Sequence, residues 1–477
     1  MLFNSFTFLI FFIVVFFVYW FPLRKKLNAQ TVFILISSYV FYGWWDWRFL
    51  ALIVLSTLVD FYVGKQLDKQ EQLQKRKWLL ALSVVVNLGL LCYFKYAGFF
   101  IENWVIAWES IGVSFNIKSL HIILPVGISF YTFQTMSYTI DIYRKQIKHT
   151  SSLINFAAFV AFFPQLVAGP IERASHLLPQ FGEKRVFNYG YAKSGVYLVV
   201  WGLLKKMVIA DTCATYVNEI FDNYDNMNTL SLLLGAVYFA FQIYGDFSGY
   251  SDIAIGISRL LGFDLKQNFN KPYFSRSIAE FWRRWHISLS TWFRDYLYIP
   301  LGGKRVNALL KTRNVFAVFL ISGFWHGANW TYVSWGFLHA LYFLPLLLFN
   351  QNKKYPNQVN VGFNKHGIVN LLKIGFTFTI VVLAWVFFRA KTISDAFAYI
   401  KRAMSNLNFS LEYLSIERYS FEALLLILCF VAVEWFSRNY EHPFLGRFKL
   451  LYFTLAVLTI MVFGVYSEHR DFIYFQF

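Results

Sequence analysis

Two histidines stand out because their neighbours are unusual for ionisable groups. His326 sits in FWHGANW (Phe324–Trp330), between bulky Trp325 and the small pair Gly327 and Ala328, with Asn329 close by. His286 sits in FWRRWHISLSTW (Phe281–Trp292), beside Arg283 and Arg284. A neutral imidazole can take a proton from a hydroxyl near neutral pH, and small residues after His326 leave room for a reactant to approach its ring. The plainer reading is a histidine that completes a hydrogen-bond network in a core. His339, on a smoother apolar stretch, fits that plainer reading better. No His-Glu-x-x-His pattern or Cys/His cluster accompanies any of them, so a metal centre is not expected. Cys92, Cys213 and Cys429 are widely spaced in apolar runs and predict neither a disulfide framework nor a thiolate site.

Other polar residues interrupt apolar sequence in the same middle region. In QIYGDFSGYSDIAIG (Gln242–Gly256), Asp246, Ser248, Ser251 and Asp252 break into a run that begins as membrane helix. Two carboxylates there must be hydrated, hydrogen-bonded or paired, and arginines of the next segment are the expected partners. Gly245, Gly249 and Gly256 allow close backbone approach or a bend. This stretch reads as scaffolding for a site rather than as an acid–base pair. In VGISFYTFQTMSYTIDIYR (Val126–Arg144), Gln134 and Tyr138 share a helix face, four residues apart. In PQLVAGPIERASHLLPQF (Pro164–Phe181), two prolines and a glycine within seven residues forbid an uninterrupted helix. His176 there reads as a surface or lining residue.

From Lys271 to Arg313 the chain carries nine basic residues against Glu280 and Asp295, interleaved with Trp282, Trp285 and Trp292. That pattern fits a headgroup-level element gripping anionic lipid, and equally a positive mouth for a phosphate-bearing ligand. GGKR (Gly302–Arg305) is too short for a nucleotide-binding loop.

The elements that must position these groups are membrane helices. Of 477 residues, 57% are hydrophobic and only 15% charged, against about a quarter charged in soluble domains. Membrane-length apolar runs recur throughout, predicting an all-α polytopic protein with ten to twelve segments, some re-entrant. The first run lacks the flanks of a cleaved signal. Arg24, Lys25 and Lys26 follow it, and Lys65, Lys69, Lys75, Arg76 and Lys77 follow two further crossings. Both clusters place the N-terminus outside and those loops in the cytoplasm. The net charge of +18 then reads as topology signal and lipid contact, not nucleic-acid binding. We read residues 1–477 as a single membrane domain, with N-terminal helices (1–119) and C-terminal helices (341–477) flanking a site-bearing middle (120–340). A short surface helix is expected around DAFAYIKRAM, from Asp395.

PQLVAGPIERASHLLPQF, QIYGDFSGYSDIAIGISRLLGF, FWRRWHISLSTWFRDYLYIPLGG and FWHGANWTYVSWG, in this order, resemble the membrane-bound O-acyltransferase (MBOAT) family. The nearest likeness is to the alginate O-acetyltransferase branch and its peptidoglycan O-acetylating relatives, and it runs from Met1 to Phe477. The resemblance implies a ring of tilted helices, with re-entrant segments, around a central tunnel. It implies that His326 is the essential buried histidine and His286 the second one, which would orient an acceptor, relay a proton or shape the tunnel. It implies acetyl-coenzyme A as donor, with its phosphates met by Arg283, Arg284 and Arg294, or an acyl-carrier protein at the same mouth. Trp325 and Asn329 would bound the site. The implied partners are membrane lipids, an SGNH-hydrolase-like acetyltransferase outside the membrane, and a polysaccharide acceptor such as alginate or peptidoglycan. The rivals are a polysaccharide or acyl-group transporter without its own chemistry, and a scaffold that recruits an outside enzyme.

Overall fold

The computed structural model describes residues 1–113, 122–167, 169–351, 365–405, 407–410, 420–466 and 472–473. Positions 352–364, 411–419 and most of the closing FIYFQF lie outside these residues. The described residues are all-α. Among the described residues, six stretches are long and apolar enough to cross a membrane: Leu27–Lys69, Leu73–Glu109, Thr229–Leu260, Ala308–His326, Trp330–Leu348 and Gly367–Arg389. The chain is a multi-pass membrane protein.

Six stretches do not mean six crossings. Leu27–Lys69 contains two 20-residue helices, Leu27–Asp46 and Leu50–Lys69, broken where Asp46 becomes extended and caps Arg48. Twenty residues rise about 30 Å, the thickness of the hydrocarbon core. Phe6–Trp20, Leu153–Leu166 and Lys449–Phe463 are apolar but shorter. Large apolar side chains such as Phe6, Leu372, Phe376 and Leu450 stand exposed along these helices, as hydrocarbon-facing surface requires. Pro164–Phe181 is broken as its prolines dictate, into short helices Phe163–Leu166 and Ala174–Leu177 and a tight turn Pro179–Phe181. The expected helix at DAFAYIKRAM is Ile393–Ser405.

Packing divides the chain into two compact units, residues 1–195 with 257–266, and residues 196–256 with 267–477. In the first, helices Leu50–Lys69, Leu73–Leu91 and Ile128–Tyr143 are joined by a polar seam rather than by apolar contact alone. Asp60 accepts from Ser83 Oγ at 2.5 Å and Asn87 Nδ2 at 2.7 Å, Ser56 donates to Asn87 Oδ1 at 2.8 Å, and Ser83 and Thr139 share a 2.9 Å bond. Arg76 closes one end on the carbonyls of Ile142 and Tyr143, at 3.2 and 2.7 Å. In hydrocarbon, where helices gain nothing from expelling water, such bonds carry much of the specificity of packing.

The second unit holds both histidines. Helix Thr229–Leu260, which lies in it as far as Gly256, is mostly buried. Helices Ala308–His326 and Trp330–Leu348 pack backbone to backbone. A β-carbon on Gly323 would lie 2.3 Å from the carbonyl oxygen of Tyr332, and one on Gly336 would lie 2.3 Å from that of Phe319. Only glycine permits that approach.

Candidate active site

His326 is the last residue of helix Ala308–His326; the chain leaves the helix at Gly327, which is extended (φ −166°). A β-carbon at Gly327 would strike the Tyr332 ring at 2.2 Å, so the exit needs glycine for space rather than for backbone freedom. Asn329 then caps the next helix, accepting from Thr331 N–H at 3.0 Å and donating to the Lys391 carbonyl at 3.1 Å. Asn329 therefore holds the turn that carries His326. The His326 imidazole is 2% exposed and walled by rings: Trp325 at 5.0 Å, Trp335 at 5.1 Å and Phe388 at 5.4 Å between centroids. Trp335 in turn stacks on Trp385 at 5.5 Å, and Trp385 meets Trp285 at 5.1 Å.

His286 lies between two seven-residue helices, Ile278–Arg284 and Ile287–Phe293, in a left-handed conformation (φ 42°, ψ 57°). A non-glycine residue there costs about 1–2 kcal/mol and persists only where its surroundings hold it. Two backbone bonds do so: Asn270 N–H donates to the Arg284 carbonyl and Ile287 N–H to the Asn268 carbonyl, each at 2.9 Å. The imidazole is fully buried, with Phe247 edge-on at 4.6 Å and Trp325 at 6.1 Å. Burial pushes its pKa below the ordinary value, so it is neutral at physiological pH. Trp325 is thus a ring neighbour of both histidines, which lie forty positions apart in sequence.

The residues of Gln242–Gly256 sit beside this site as an ionic scaffold. Lys206 Nζ lies 2.8 Å from Asp246 Oδ1 and 2.8 Å from Asp211 Oδ1, and Lys205 Nζ lies 2.5 Å from Asp252 Oδ2. The partners are lysines of the preceding segment, not the arginines expected from the following one. A π-helical turn at Leu204–Ala210 turns both consecutive lysines inward, which an ordinary helix, at 100° per residue, does poorly. Close approach supplies the rest: β-carbons on Gly245 and Gly249 would lie 2.9 Å from the Lys205 carbonyl and 2.7 Å from that of Gly202. Gly245 and Gly249 serve approach, and the helix continues unbroken through them. Asp246 also accepts from Ile473 N–H at 2.6 Å. Ser251 receives Asn268 Nδ2 at 3.3 Å, and Ser248 is fully buried. Nearby, Tyr244 donates to Glu434 at 2.7 Å, and Lys271 caps the carbonyls of Ser437 and Tyr440.

The three arginines differ. Arg284 is buried, bonded to Glu280 at 2.9 Å and to the Asn270 carbonyl at 3.2 Å. Arg283 is exposed, as is Arg294, which pairs with Asp295 at 2.8 Å. A cavity of about 220 Å³ opens beside Arg294, lined among others by Trp282, Phe293, Tyr298 and Phe319. His339 accepts from Trp282 Nε1 at 3.3 Å. In the first unit, Gln134 donates to the Phe159 carbonyl at 2.8 Å and Tyr138 accepts from Thr150 N–H at 3.2 Å. His176 lies 2.9 Å from Glu172 and 3.2 Å from Asp264. Sequence reading missed Lys205, Lys206 and Asn268. The lysines left a signal, two charges within the apolar run Gly195–Ile209, which demand partners at membrane depth. Asn268 left none. Among the described residues, no three His, Cys, Asp or Glu residues stand together as a metal site.

Two buried imidazoles flanking one tryptophan, one at a helix end and one between two short helices, sit within the span that matches a known family. Residues 115–388 match MBOAT, the membrane-bound O-acyltransferase family, and the chain belongs to that family. Among its relatives, the probable alginate O-acetylases AlgI of Pseudomonas aeruginosa and Pseudomonas syringae pv. tomato are 42% and 41% identical. Each match covers 83% of this chain, and 73% and 74% of the relative. The peptidoglycan O-acetyltransferase of Helicobacter pylori is 36% identical over 88% of this chain and 83% of its own length.

Proposed function

We propose that the protein transfers an acetyl group from acetyl-coenzyme A, reached from the cytoplasm, to a hydroxyl on the outer side of the membrane. The final acceptor is a cell-envelope or secreted polysaccharide such as alginate or peptidoglycan, acetylated directly or through an SGNH-hydrolase-like partner outside the membrane. The observation that carries this reading is the pairing of buried His326 and His286 against Trp325, in a family of O-acyltransferases.

His326 acts as general base. It removes the acceptor's hydroxyl proton as the oxygen attacks the acyl carbon, and returns that proton to the departing thiol. Holding donor and acceptor beside it supplies a proximity contribution. The ring of tilted helices with a tunnel between the two faces belongs to this reading, as does an inner-membrane location with the N-terminus outside. Exposed Arg283 and Arg294 meet the donor's phosphates; buried Arg284 anchors the end of the short helix that precedes His286. Trp325 and Asn329 bound the site, and Asp246, Ser248, Ser251 and Asp252 brace it.

The test supplies purified protein in liposomes with acetyl-labelled coenzyme A, with and without the candidate partner. The expected result is release of free thiol and transfer of label to a hydroxyl, both abolished by His326→Ala at equal protein abundance. Movement of the donor without thiol release identifies a transporter and overturns the proposal. Unchanged transfer in His326→Ala removes that residue from catalysis and supports the scaffold alternative.

A further inference from the structure

We infer that Asn268 and Ser288 fix His286 in its Nδ1-protonated tautomer, so that its Nε2 meets a bound reactant as a hydrogen-bond acceptor. Asn268 is then a positioning residue for the reaction proposed above, and the inference about its use rests on that reading. The tautomer itself follows from local geometry.

Ser288 N–H lies 3.2 Å from the Asn268 side-chain atom that also faces the imidazole. A backbone N–H can only donate, so that atom is the amide oxygen, Oδ1. The other end of the amide, Nδ2, then faces Ser251 Oγ at 3.3 Å, where the hydroxyl can accept. His286 Nδ1 lies 3.2 Å from the same Oδ1. A carbonyl oxygen has no proton to give, so a bond between the two requires the proton on Nδ1. A neutral imidazole carries one ring proton. Nε2 is therefore bare, and it is buried with no hydrogen-bond partner among the described residues. The opposite tautomer would set two lone pairs against each other at Oδ1 and leave the Nε2–H unused as well. Phe247 edge-on to the ring and the clamped left-handed backbone at His286 oppose a flip of the imidazole.

A bare, desolvated Nε2 accepts a hydrogen bond from an O–H or N–H of a reactant. While neutral, it cannot donate to the oxyanion formed when a thioester is attacked. This suits His286 to orienting the hydrogen-bond donor of a reactant.

The experiment compares protein labelled with ¹⁵N-histidine in lipid bilayers, wild type and Asn268→Ala, by solid-state NMR. His286 is assigned by its absence from His286→Gln, and folding of each variant is checked by thermal unfolding. The expected wild-type signal is a protonated Nδ1 and a bare Nε2, with both tautomers populated in Asn268→Ala. A protonated Nε2 in the wild type, or an unaltered tautomer in Asn268→Ala, overturns the inference. In the acyl-transfer assay, Asn268→Ala lowers turnover at least tenfold, whereas Asn268→Asp restores most of it because a carboxylate also accepts from Nδ1. The carboxylate favours the imidazolium, so in Asn268→Asp activity falls away at a higher pH on the acid side than in wild type. Failure of Asn268→Asp to exceed Asn268→Ala, or an unmoved acid limb, refutes the positioning role. If the wild type releases no thiol while the tautomer is as stated, the proposed function fails and the tautomer assignment stands.

Discussion

The contact between Gly323 and Tyr332 offers a sharp test of how the site is held. In Gly323→Ala, the new methyl group would lie 2.3 Å from the Tyr332 carbonyl oxygen and 3.0 Å from its carbon, while ordinary contact begins near 3.4 Å. Helix Trp330–Leu348 must therefore retreat by about 1.1 Å. Neither partner is a flexible side chain, so the strain is not relieved locally, and overpacking of this kind costs about 1–3 kcal/mol. His326 lies one turn further along the same helix, with Trp335 of the retreating helix 5.1 Å from its ring. A displacement of about 1 Å at a reacting group can cost on the order of a hundredfold in rate. The expectation is a membrane-inserted protein with a lowered unfolding temperature and a turnover reduced by about one to two orders of magnitude. Gly375→Ala is the control, because a methyl group there meets nothing within 4 Å. The assay pairs thermal unfolding in detergent with thiol release from the acyl donor. If Gly323→Ala matches Gly375→Ala in both, backbone contact between the two helices does not set the position of His326.

Three other substitutions probe the rest of the scaffold. Lys206→Met strands the buried carboxylates of Asp246 and Asp211 and should destabilise by about 3–5 kcal/mol; an unchanged unfolding midpoint refutes the ionic bracing, and Lys206→Met with Asp246→Asn should recover part of the loss. Arg283→Gln should raise the apparent KM for the donor most strongly at low salt, leaving stability intact, whereas Arg284→Gln should cost about 1.5–3 kcal/mol through its lost bonds to Glu280 and Asn270; equal effects of the two on KM would argue against the division drawn here. Hydrogen bonding to Glu172 raises the pKa of His176, with Asp264 adding to it. Its contribution to stability is therefore full below the ordinary histidine value of about 6.5 and is lost as pH rises through the raised one. The unfolding temperature of wild type should fall more on that rise than that of His176→Gln, and parallel profiles would refute the pairing.

Much of this architecture was legible from composition because a bilayer imposes so blunt a constraint. Runs of apolar residues had to become helices, and Pro164, Gly169 and Pro170 had to break one. The two histidines drew notice because their neighbours were odd, and the fold brings both rings to Trp325. Partnerships across the chain were not. Asp246 and Asp252 announced that they needed counter-ions, but the choice of Lys206 and Lys205 depends on a widened helical turn that leaves no mark in periodicity. Asn268 lies in an ordinary polar loop, and its value comes wholly from what the fold brings to it: a backbone N–H, a hydroxyl and an imidazole converging on one oxygen. The glycines of Gly245 and Gly249 looked equally suited to a bend or to close approach, and only packing decides between the two.

The widened turn at Leu204–Ala210 has a consequence for how this chain tolerates change. A π-helical turn holds one more residue than an α-helical turn of similar rise, so it is sensitive to length before it is sensitive to identity. Removing a single residue from the segment would let it relax into regular helix with the residues beyond keeping their orientation, but the two consecutive lysines could then no longer both face inward. A deletion in the regular helix on either side would instead turn everything beyond it by about 100°, so a library of single-residue deletions should find Leu204–Ala210 the place where helix register survives and the lysine–carboxylate pairing does not.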